Sequence, residues 1–215
     1  PSGHTALQVT PDGQNCIIVC AGSNAQLTED YIDSVLAHFG AGDVALVQNE
    51  VSNVPYIIRQ AKARGLKVAF NASPITASIL SYPLELVDYY LVNETEGRTL
   101  SGCDATDYET ILAALHEKFP AAAIVLTVGS DGVLHQCGDE RYSHGIYRVQ
   151  AVDTTGAGDT FCGFFLASLA KGFSVPQALE NASLASALAV SRAGACDSIP
   201  TWAEMEAFAK TAQAK

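Results

Sequence analysis

The chain has 215 residues, of which 48% are hydrophobic and 16% charged, and 12 Lys and Arg against 23 Asp and Glu give a formal charge of -11. This composition supports one substantial core or two small ones and excludes disorder, collagen and coiled coil. The acidic balance disfavours phosphate backbones and anionic lipid, so we expect neither a nucleic-acid nor a membrane partner. Apolar stretches are far shorter than the ~20 residues of a membrane span. No signal-peptide pattern opens the sequence, and we expect a cytoplasmic protein.

The cysteines and histidines show no metal-binding pattern. The six cysteines are scattered without a CxxC pair, and no histidine lies at metal-ligand spacing from them. We therefore expect reduced cysteines that mostly serve packing. The five histidines occupy unrelated contexts, and we assign none a catalytic role.

The first elements are a predicted hairpin and a capped helix. Thr5–Val9 and Asn15–Cys20 flank the turn signal Pro11-Asp12-Gly13, which predicts a β-hairpin. Thr28 is a good N-cap, and the apolar spacing after it predicts a helix that continues to Gly40. The side chains predicted to line its apolar face are Ile32, Val35, Leu36 and Phe39.

Strands and helices then alternate along the chain. Strands are predicted at 43–47, 66–70, 88–92, 123–128 and 133–136, and helices at 54–64, 94–100 and 108–118. This rhythm predicts a single α/β domain, in which a mainly parallel sheet carries helices on both faces and ligands lie beyond the carboxyl ends of the strands. From Gly156 onward the pattern is helical, with an apolar stripe at Phe161, Phe164, Phe165 and Leu169.

The most informative stretch is Ala151-Val-Asp-Thr-Thr-Gly-Ala-Gly-Asp-Thr-Phe161. Two glycines separated by one small residue lead directly into an amphipathic helix, so the amides of Ala157, Gly158 and Asp159 can face a ligand. The helix dipole there favours an anion such as a phosphoryl group. Asp159 suits a general base that takes the proton of an attacking alcohol. Alternatively, it is a first-turn carboxylate that satisfies the helix terminus.

Several motifs together resemble the ribokinase-like (PfkB) carbohydrate kinases. Asp153-Thr-Thr-Gly-Ala-Gly-Asp159 matches their DTxGAGD signature in full. Further matching pieces follow in the family's order: Ala21-Gly-Ser-Asn24, Glu50, Asn71-Ala-Ser-Pro74, Asn93-Glu-Thr-Glu96, Thr127-Val-Gly-Ser-Asp-Gly132 and Ser191-Arg-Ala-Gly-Ala195. The resemblance runs from the opening hairpin to the terminal helix.

The resemblance implies a catalytic and a nucleotide-binding set. Asp159 is then the base for a primary hydroxyl of the sugar, and Gly156, Ala157 and Gly158 form the anion hole. The residues implied to bind ATP are Asn93, Thr127, Gly129, Ser130, Gly132, Gly158 and Ser183. Read without the family, Asn93 and Glu96 are a helix cap, and Thr127 to Gly132 an ordinary turn.

The resemblance also implies metal and sugar sites. Glu96 positions Mg²⁺ through water, which suits a hard cation that keeps several waters. Glu50, at the end of a strand, binds sugar hydroxyls together with Asp159; otherwise it is a solvated loop carboxylate. A monovalent cation, usually K⁺, is implied at Asp153, Thr155, Ala189, Arg192, Gly194 and Ser198. Without the family, Asp153 and Arg192 are equally a loop carboxylate and a solvated helix charge.

The implied fold is a ribokinase-like three-layer sandwich, with a mainly parallel central sheet flanked by helices. Residues 1–22 would be a hairpin of the sugar lid, and residues 23–215 the nucleotide-binding and catalytic core. Family members carry a further amino-terminal portion with a Gly-Gly substrate motif, so we expect this chain to correspond to the carboxyl-terminal part of a longer kinase.

The implied activity is phosphorylation of a small sugar by ATP, with ribose the first candidate and a homodimer the expected assembly. Fructose, a ketodeoxysugar acid or a nucleoside such as adenosine are alternative substrates within the family. A non-catalytic nucleotide-binding fragment that pairs with another chain is the alternative from a different class.

Overall fold

The computed structural model describes residues 1–9 and 15–213. The chain divides into two compact units, Pro1–Tyr89 and Tyr90–Lys215. The boundary between residues 22 and 23 that the sequence suggests remains a prediction.

The first unit opens with the expected antiparallel hairpin. β1 (His4–Val9) pairs with β2 (Asn15–Cys20), with His4 opposite Cys20 and Val9 opposite Asn15. The predicted turn at Pro11-Asp12-Gly13 lies outside the described residues. Ile18 and Val19 are both well over half exposed, so these β-branched side chains stabilise the strands without contributing to a core.

The helix predicted after Thr28 is present but shorter than expected. α1 (Glu29–Leu36) begins where the Thr28 hydroxyl accepts a hydrogen bond from the Tyr31 amide, and it ends at Leu36 rather than at Gly40. Val35 and Phe39 were expected on the apolar face but are 39% and 50% exposed. Phe39 lies beyond the end of the helix, and Val35 lies within it but outside its buried side, which consists of Ile32 and Leu36.

A parallel strand pair and a helix complete the first unit. β3 (Val44–Gln48) pairs in parallel with β4 (Lys67–Asn71), and α2 (Val54–Ala63) connects them and packs on both. The buried side chains on α2 are Val54, Ile58 and Ala61. Gly65 follows with a φ of 82°, a left-handed conformation that costs glycine little.

The second unit contains the remaining strands and two short helices. It is built from β5 (Tyr89–Asn93), α3 (Glu94–Ser101), α4 (Tyr108–Lys118), β6 (Ala123–Thr127), β7 (Val133–Cys137) and β8 (Glu140–His144). β6, β7 and β8 are antiparallel neighbours. Within this unit the strand order is β5-β6-β7-β8. β8 was not predicted, because Glu140-Arg-Tyr-Ser-His144 lacks apolar alternation.

The region after Gly156 is helical, as predicted. α5 (Ala157–Ala170), α6 (Val175–Val190) and α7 (Trp202–Ala209) follow one another, and α6 packs on both α5 and α7. Phe161 and Phe165 are buried, and Phe164 stacks on Trp202 with ring centroids 5.5 Å apart. The aromatic stripe of α5 therefore lies in the interior of this unit.

The cysteines differ in exposure. Among the residues described, Cys162 is buried, whereas Cys20 and Cys196 are exposed and belong to no disulfide. The packing role expected for most cysteines therefore does not extend to these two positions.

Within residues 1–9 and 15–213, the helices lack the length and hydrophobicity that crossing a membrane requires.

Candidate active site

The amino-terminal end of α5 starts on a glycine without a capping side chain. Gly156 is the N-cap, with a φ of 73° that disfavours any residue carrying a Cβ. A Cβ at Gly158 would meet no atom within 4 Å. The first turn of a helix leaves amides without intrahelical acceptors, so this terminus can receive an anion.

The loop that leads to Gly156 is fastened to the end of α6. The amides of Val152 and Asp153 donate to the Val190 carbonyl at 2.8 and 3.2 Å. About one turn before this end of α6, the Ser186 hydroxyl donates to the Ala157 carbonyl at 3.1 Å. The loop and the first residue of α5 are thereby held in place by one neighbouring helix, so the turn at Gly156 is pre-organised.

Asp159 lies in this first turn and is exposed. Burial raises the pKa of the nearby Glu96 carboxyl, and the negative charges of Glu94 and Asp159 raise it further. The candidate base and the candidate metal-positioning residue therefore interact electrostatically.

Asn93 and Glu96 form a capping box at the start of α3. The Asn93 side chain accepts from the Glu96 amide at 2.9 Å, and the Glu96 carboxylate accepts from the Asn93 amide at 3.0 Å. The helix-cap reading of these residues is therefore realised in the structure. The capping uses Oε2 of Glu96 and not its second carboxylate oxygen, and Asn93 also lines a cleft of the second unit.

A cleft of about 630 Å³ in the second unit contains the predicted nucleotide-binding residues. Its volume is typical of small-molecule sites. All seven predicted positions line it, namely Asn93, Thr127, Gly129, Ser130, Gly132, Gly158 and Ser183. The structure thus brings together residues that are up to 90 positions apart in the sequence, from 93 to 183.

Sequence reasoning missed one wall of this cleft. Residues 146–149, Ala151 and Thr154 line it, together with Phe161, Ser186, Ala187 and Val190. Tyr147 is buried against α6, where its hydroxyl is 3.5 Å from the Glu180 carboxylate. The segment has no helical or strand periodicity, so its only sequence signal was its position just before the Asp153 motif.

Gly132 allows a close backbone approach. It has a φ of 102°, and a Cβ there would lie 2.1 Å from the His144 carbonyl oxygen at the end of β8. The Val128 amide donates to the Gly132 carbonyl at 2.9 Å, which closes the turn after β6. The glycine is therefore required by the packing of the turn against β8, and the turn reading of 127–132 is also correct as geometry.

The residues predicted to hold a monovalent cation lie in two segments that Asp153 joins. Its carboxylate accepts from the Thr155 amide at 2.9 Å and from the Gly194 amide at 3.1 Å, and these bonds lower its pKa. The Ala189 carbonyl accepts from the Arg192 amide at 3.0 Å. Arg192 also pairs with Glu204 at 2.8 Å. Ser198 is buried and donates to the Ala195 carbonyl at 2.7 Å.

Glu50 belongs to the first unit. It is exposed and lies just after the carboxyl end of β3, which is where α/β proteins place ligands. The part of the chain that the structure describes contains no group of three or more His, Cys, Asp or Glu able to hold a metal ion.

Strands flanked by helices, together with a helix that starts on a glycine and opens on a small-molecule cleft, are typical of α/β proteins that bind nucleotides. The family model described as pfkB family carbohydrate kinase matches residues 1–202, and the chain belongs to this family. The membership of the PfkB family that the sequence motifs suggested is therefore confirmed.

Three similar proteins illustrate the relationship. The ribokinase of Haemophilus influenzae is 35% identical over 214 residues, covering 96% of this chain and 69% of that protein. The deoxyribokinase of Salmonella typhi is 30% identical over 205 residues, covering 93% and 67%. The solved structure of Arabidopsis thaliana ribokinase complexed with ribose and ATP has a TM-score of 0.85 at 28% identity, covering 98% of this chain and 70% of that one. The predicted ribokinase-like fold is confirmed by this likeness, and the two-stranded hairpin fits the predicted lid.

Proposed function

We propose that this chain transfers the γ-phosphoryl group of ATP to a primary hydroxyl of a sugar, with D-ribose giving ribose 5-phosphate. The observation that carries the proposal is the convergence of the seven predicted nucleotide-binding residues on one cleft at the start of α5. The similarity to ribokinases, one of them solved with ribose and ATP, supports the same reaction.

The first turn of α5 would bind the transferring phosphoryl group. The Gly158 amide and the helix dipole would stabilise its negative charge, and the space beside Gly158 admits it. The Ala157 amide, which donates to the Thr154 carbonyl at 3.3 Å, would share its hydrogen with the phosphoryl group. Asp159 accepts the hydroxyl proton while the sugar oxygen forms its bond to γ-phosphorus and the bond from γ-phosphorus to the β-phosphate bridging oxygen breaks. ADP leaves with that electron pair, so no covalent enzyme intermediate is needed.

The carboxylates around Glu96 suit Mg²⁺. Burial and the charges of Glu94 and Asp159 disfavour the ionised form of Glu96, and a hydrated cation would offset that cost. Asn93 holds the backbone of Glu96 in position through the capping box. When bound, Mg²⁺ would neutralise developing charge on the phosphates, with water and phosphate oxygens completing its shell.

A monovalent cation such as K⁺ is proposed behind the anion hole. The Asp153 carboxylate joins the loop before α5 to the loop at Gly194, and its lowered pKa keeps it charged. A cation held by this carboxylate and by main-chain carbonyl oxygens nearby would stabilise the loop without touching the sugar.

Sugar recognition is proposed at Glu50, whose carboxylate would accept hydrogen bonds from hydroxyl groups. Deoxyribose is a further candidate sugar, because a deoxyribokinase is among the relatives. Fructose, a ketodeoxysugar acid and adenosine remain alternatives within the family. A cytoplasmic homodimer is also part of the proposal, and light scattering would measure its mass.

The test is a phosphoryl-transfer assay on this chain, with ATP and Mg²⁺, across ribose, deoxyribose, fructose, a ketodeoxysugar acid and adenosine. We expect turnover to be highest with ribose. Calorimetry with a non-hydrolysable ATP analogue and with ribose separates the alternatives. Binding of both supports the kinase, whereas nucleotide binding without sugar binding or turnover supports a non-catalytic fragment.

A further inference from the structure

A polar network surrounds Asn49, the residue immediately before Glu50. The Asn49 amide nitrogen Nδ2 donates to the Pro74 carbonyl at 2.8 Å and to Thr76 Oγ1 at 3.1 Å. Its Oδ1 accepts from the Tyr82 hydroxyl at 2.8 Å. Its backbone amide donates to the Ser73 carbonyl at 2.8 Å. The end of β3 is therefore joined to the segment that follows β4.

The other side of Glu50 is anchored to a different segment. The Ser52 amide donates to the Asn24 carbonyl at 2.8 Å, and the Ser52 hydroxyl donates to the Leu27 carbonyl at 3.1 Å. Asn53 Nδ2 donates to the same Leu27 carbonyl at 2.6 Å. We call residues 49–53 the Glu50 loop. Glu50 is the exposed residue between its two sets of anchors.

The side chain of Asn49 is occupied by the protein itself. An amide group has two donor hydrogens, and Nδ2 makes two hydrogen bonds to Pro74 and Thr76 while Oδ1 is held by Tyr82. Asn49 therefore acts on a ligand only through the loop that it fixes. A carboxylate on a fixed backbone binds hydroxyl groups at a smaller entropic cost than one on a mobile loop.

We propose that Asn49 is a positioning residue that holds Glu50 for the hydroxyl groups of the sugar. The inference rests on the proposed function, since it assigns a partner to the carboxylate that recognises the substrate. Tyr82 supports Asn49 through one hydrogen bond and contributes less, because Asn49 keeps its bonds to Pro74 and Thr76 without it.

The test compares ribose binding to this chain and to its variants by calorimetry. We expect Asn49→Leu to raise the Kd for ribose about tenfold or more, and Tyr82→Phe about two- to fivefold, in line with the loss of several hydrogen bonds against one. The Kd for the ATP analogue should be unchanged. Asn49→Asp, which keeps the acceptor for Tyr82, should fall between Asn49→Leu and the unchanged chain.

Asp43→Ala is the matched control. It removes the hydrogen bond from the Gly40 amide to Asp43 Oδ2, 2.9 Å long, at the opposite end of the same strand. It should lower thermal stability without changing the Kd for ribose. Equal weakening of ribose binding by Asp43→Ala and Asn49→Leu would overturn the proposal, because the effect would then be general destabilisation.

Hydrogen exchange at the Glu50 loop separates this inference from the proposed function. Asn49→Leu should speed amide exchange in residues 49–53 about tenfold or more, and Asp43→Ala should not. If exchange is unchanged, Asn49 does not hold the loop and the inference is wrong. If exchange rises but neither Glu50→Gln nor Asn49→Leu changes ribose binding, Glu50 is not the sugar ligand, and both the inference and the assignment of Glu50 in the proposed function are wrong.

Discussion

Two helices of the second unit both carry an acidic residue three positions after the N-cap, but their N-caps differ. α3 begins at Asn93 with Glu96 three residues later, and α5 begins at Gly156 with Asp159 three residues later. At α3 the two side chains close a capping box, and Glu96 is buried. At α5 the N-cap has no side chain, and Asp159 is exposed.

The difference shows how similar local sequences reach different chemistry. A side-chain cap satisfies the amides of its own helix, whereas a glycine cap leaves the first turn accessible to a ligand. The open terminus borders the cleft through Gly158, and the capped one contributes Asn93 to the same cleft. The capped start provides a rigid edge of the cleft, and the open start is the proposed anion site.

The largest expected effect is at the exposed carboxylate. Asp159→Asn should reduce the rate of phosphoryl transfer by about 10²- to 10⁴-fold, because a general base contributes that much. Binding of the ATP analogue should change little. Steady-state kinetics and calorimetry measure the two, with the exposed Asp104→Asn as a control. Retention of the unmodified chain's turnover would remove Asp159 from the mechanism.

The open terminus is tested next by adding one methyl group. Gly158→Ala should weaken binding of the ATP analogue about tenfold, since overpacking costs on the order of 1–3 kcal/mol. It should also stabilise the fold by ~0.5–1 kcal/mol, because alanine favours helix. Calorimetry and thermal unfolding follow the two effects.

Gly163→Ala in the same helix is the control for that methyl group, since a Cβ there also meets no atom within 4 Å. It should stabilise the fold without changing nucleotide affinity. If both variants bind the analogue equally well, the phosphates do not lie beside Gly158.

Removal of the capping side chain tests the closed terminus. Asn93→Ala should cost about 1 kcal/mol of unfolding free energy, the usual loss for an N-cap, and should weaken nucleotide binding because Asn93 lines the cleft. Asp107→Ala, which removes the N-cap of α4 bonded to the Thr110 amide at 2.8 Å, should lose similar stability and keep its affinity. Equal affinities for the two variants would exclude a role of Asn93 in nucleotide binding.

The smallest effect is expected at the buried carboxylate. The raised pKa of Glu96 means that the folded chain binds its proton more readily than the unfolded chain, so the contribution of Glu96 to stability falls as pH rises through that pKa. Glu96→Gln keeps an acceptor for the Asn93 amide. It should gain under ~1 kcal/mol near pH 7, and the gain should disappear below the ordinary Glu range.

Urea unfolding at several pH values measures this gain for Glu96→Gln. The same variant should need more Mg²⁺ for half-maximal turnover if Glu96 positions the ion. A pH-independent difference in stability would contradict the role given to burial and like charge, and an unchanged Mg²⁺ requirement would contradict the metal assignment.

Elements with local signals were predictable, and those that depend on distant partners were not. Thr28 predicted the start of α1 because an N-cap acts within three residues. β8 forms because β7 supplies its hydrogen-bonding partner in register, with Cys137 opposite Glu140. The end of α1 at Leu36 likewise depends on which residues of that helix become buried, which its own periodicity does not reveal.

The candidate site likewise contains residues that short sequence motifs predicted and residues that only the folded chain brings together. Six of the predicted nucleotide-binding positions followed from motifs of a few residues each, and Ser183 from its place on a helix. All seven line the cleft. The wall at 146–149 and the network around Asn49 carry no such motif. Tyr82 bonds Asn49 across 33 positions in the sequence, and only the folded chain brings these two side chains together.

The exposed turn between α5 and α6 is a point at which the chain could be cut into two pieces. Residues 171–174 are exposed, with Gly172 at a φ of 85°. Hydrogen bonds from Ser186, Val152 and Asp153 join the two sides of this turn elsewhere. A chain split after Gly172 would therefore distribute the cleft over two pieces, with Gly158 on one and Ser183 on the other. If the cleft binds the nucleotide as proposed, the nucleotide would favour reassembly of such a split pair, because each piece alone carries only part of the cleft.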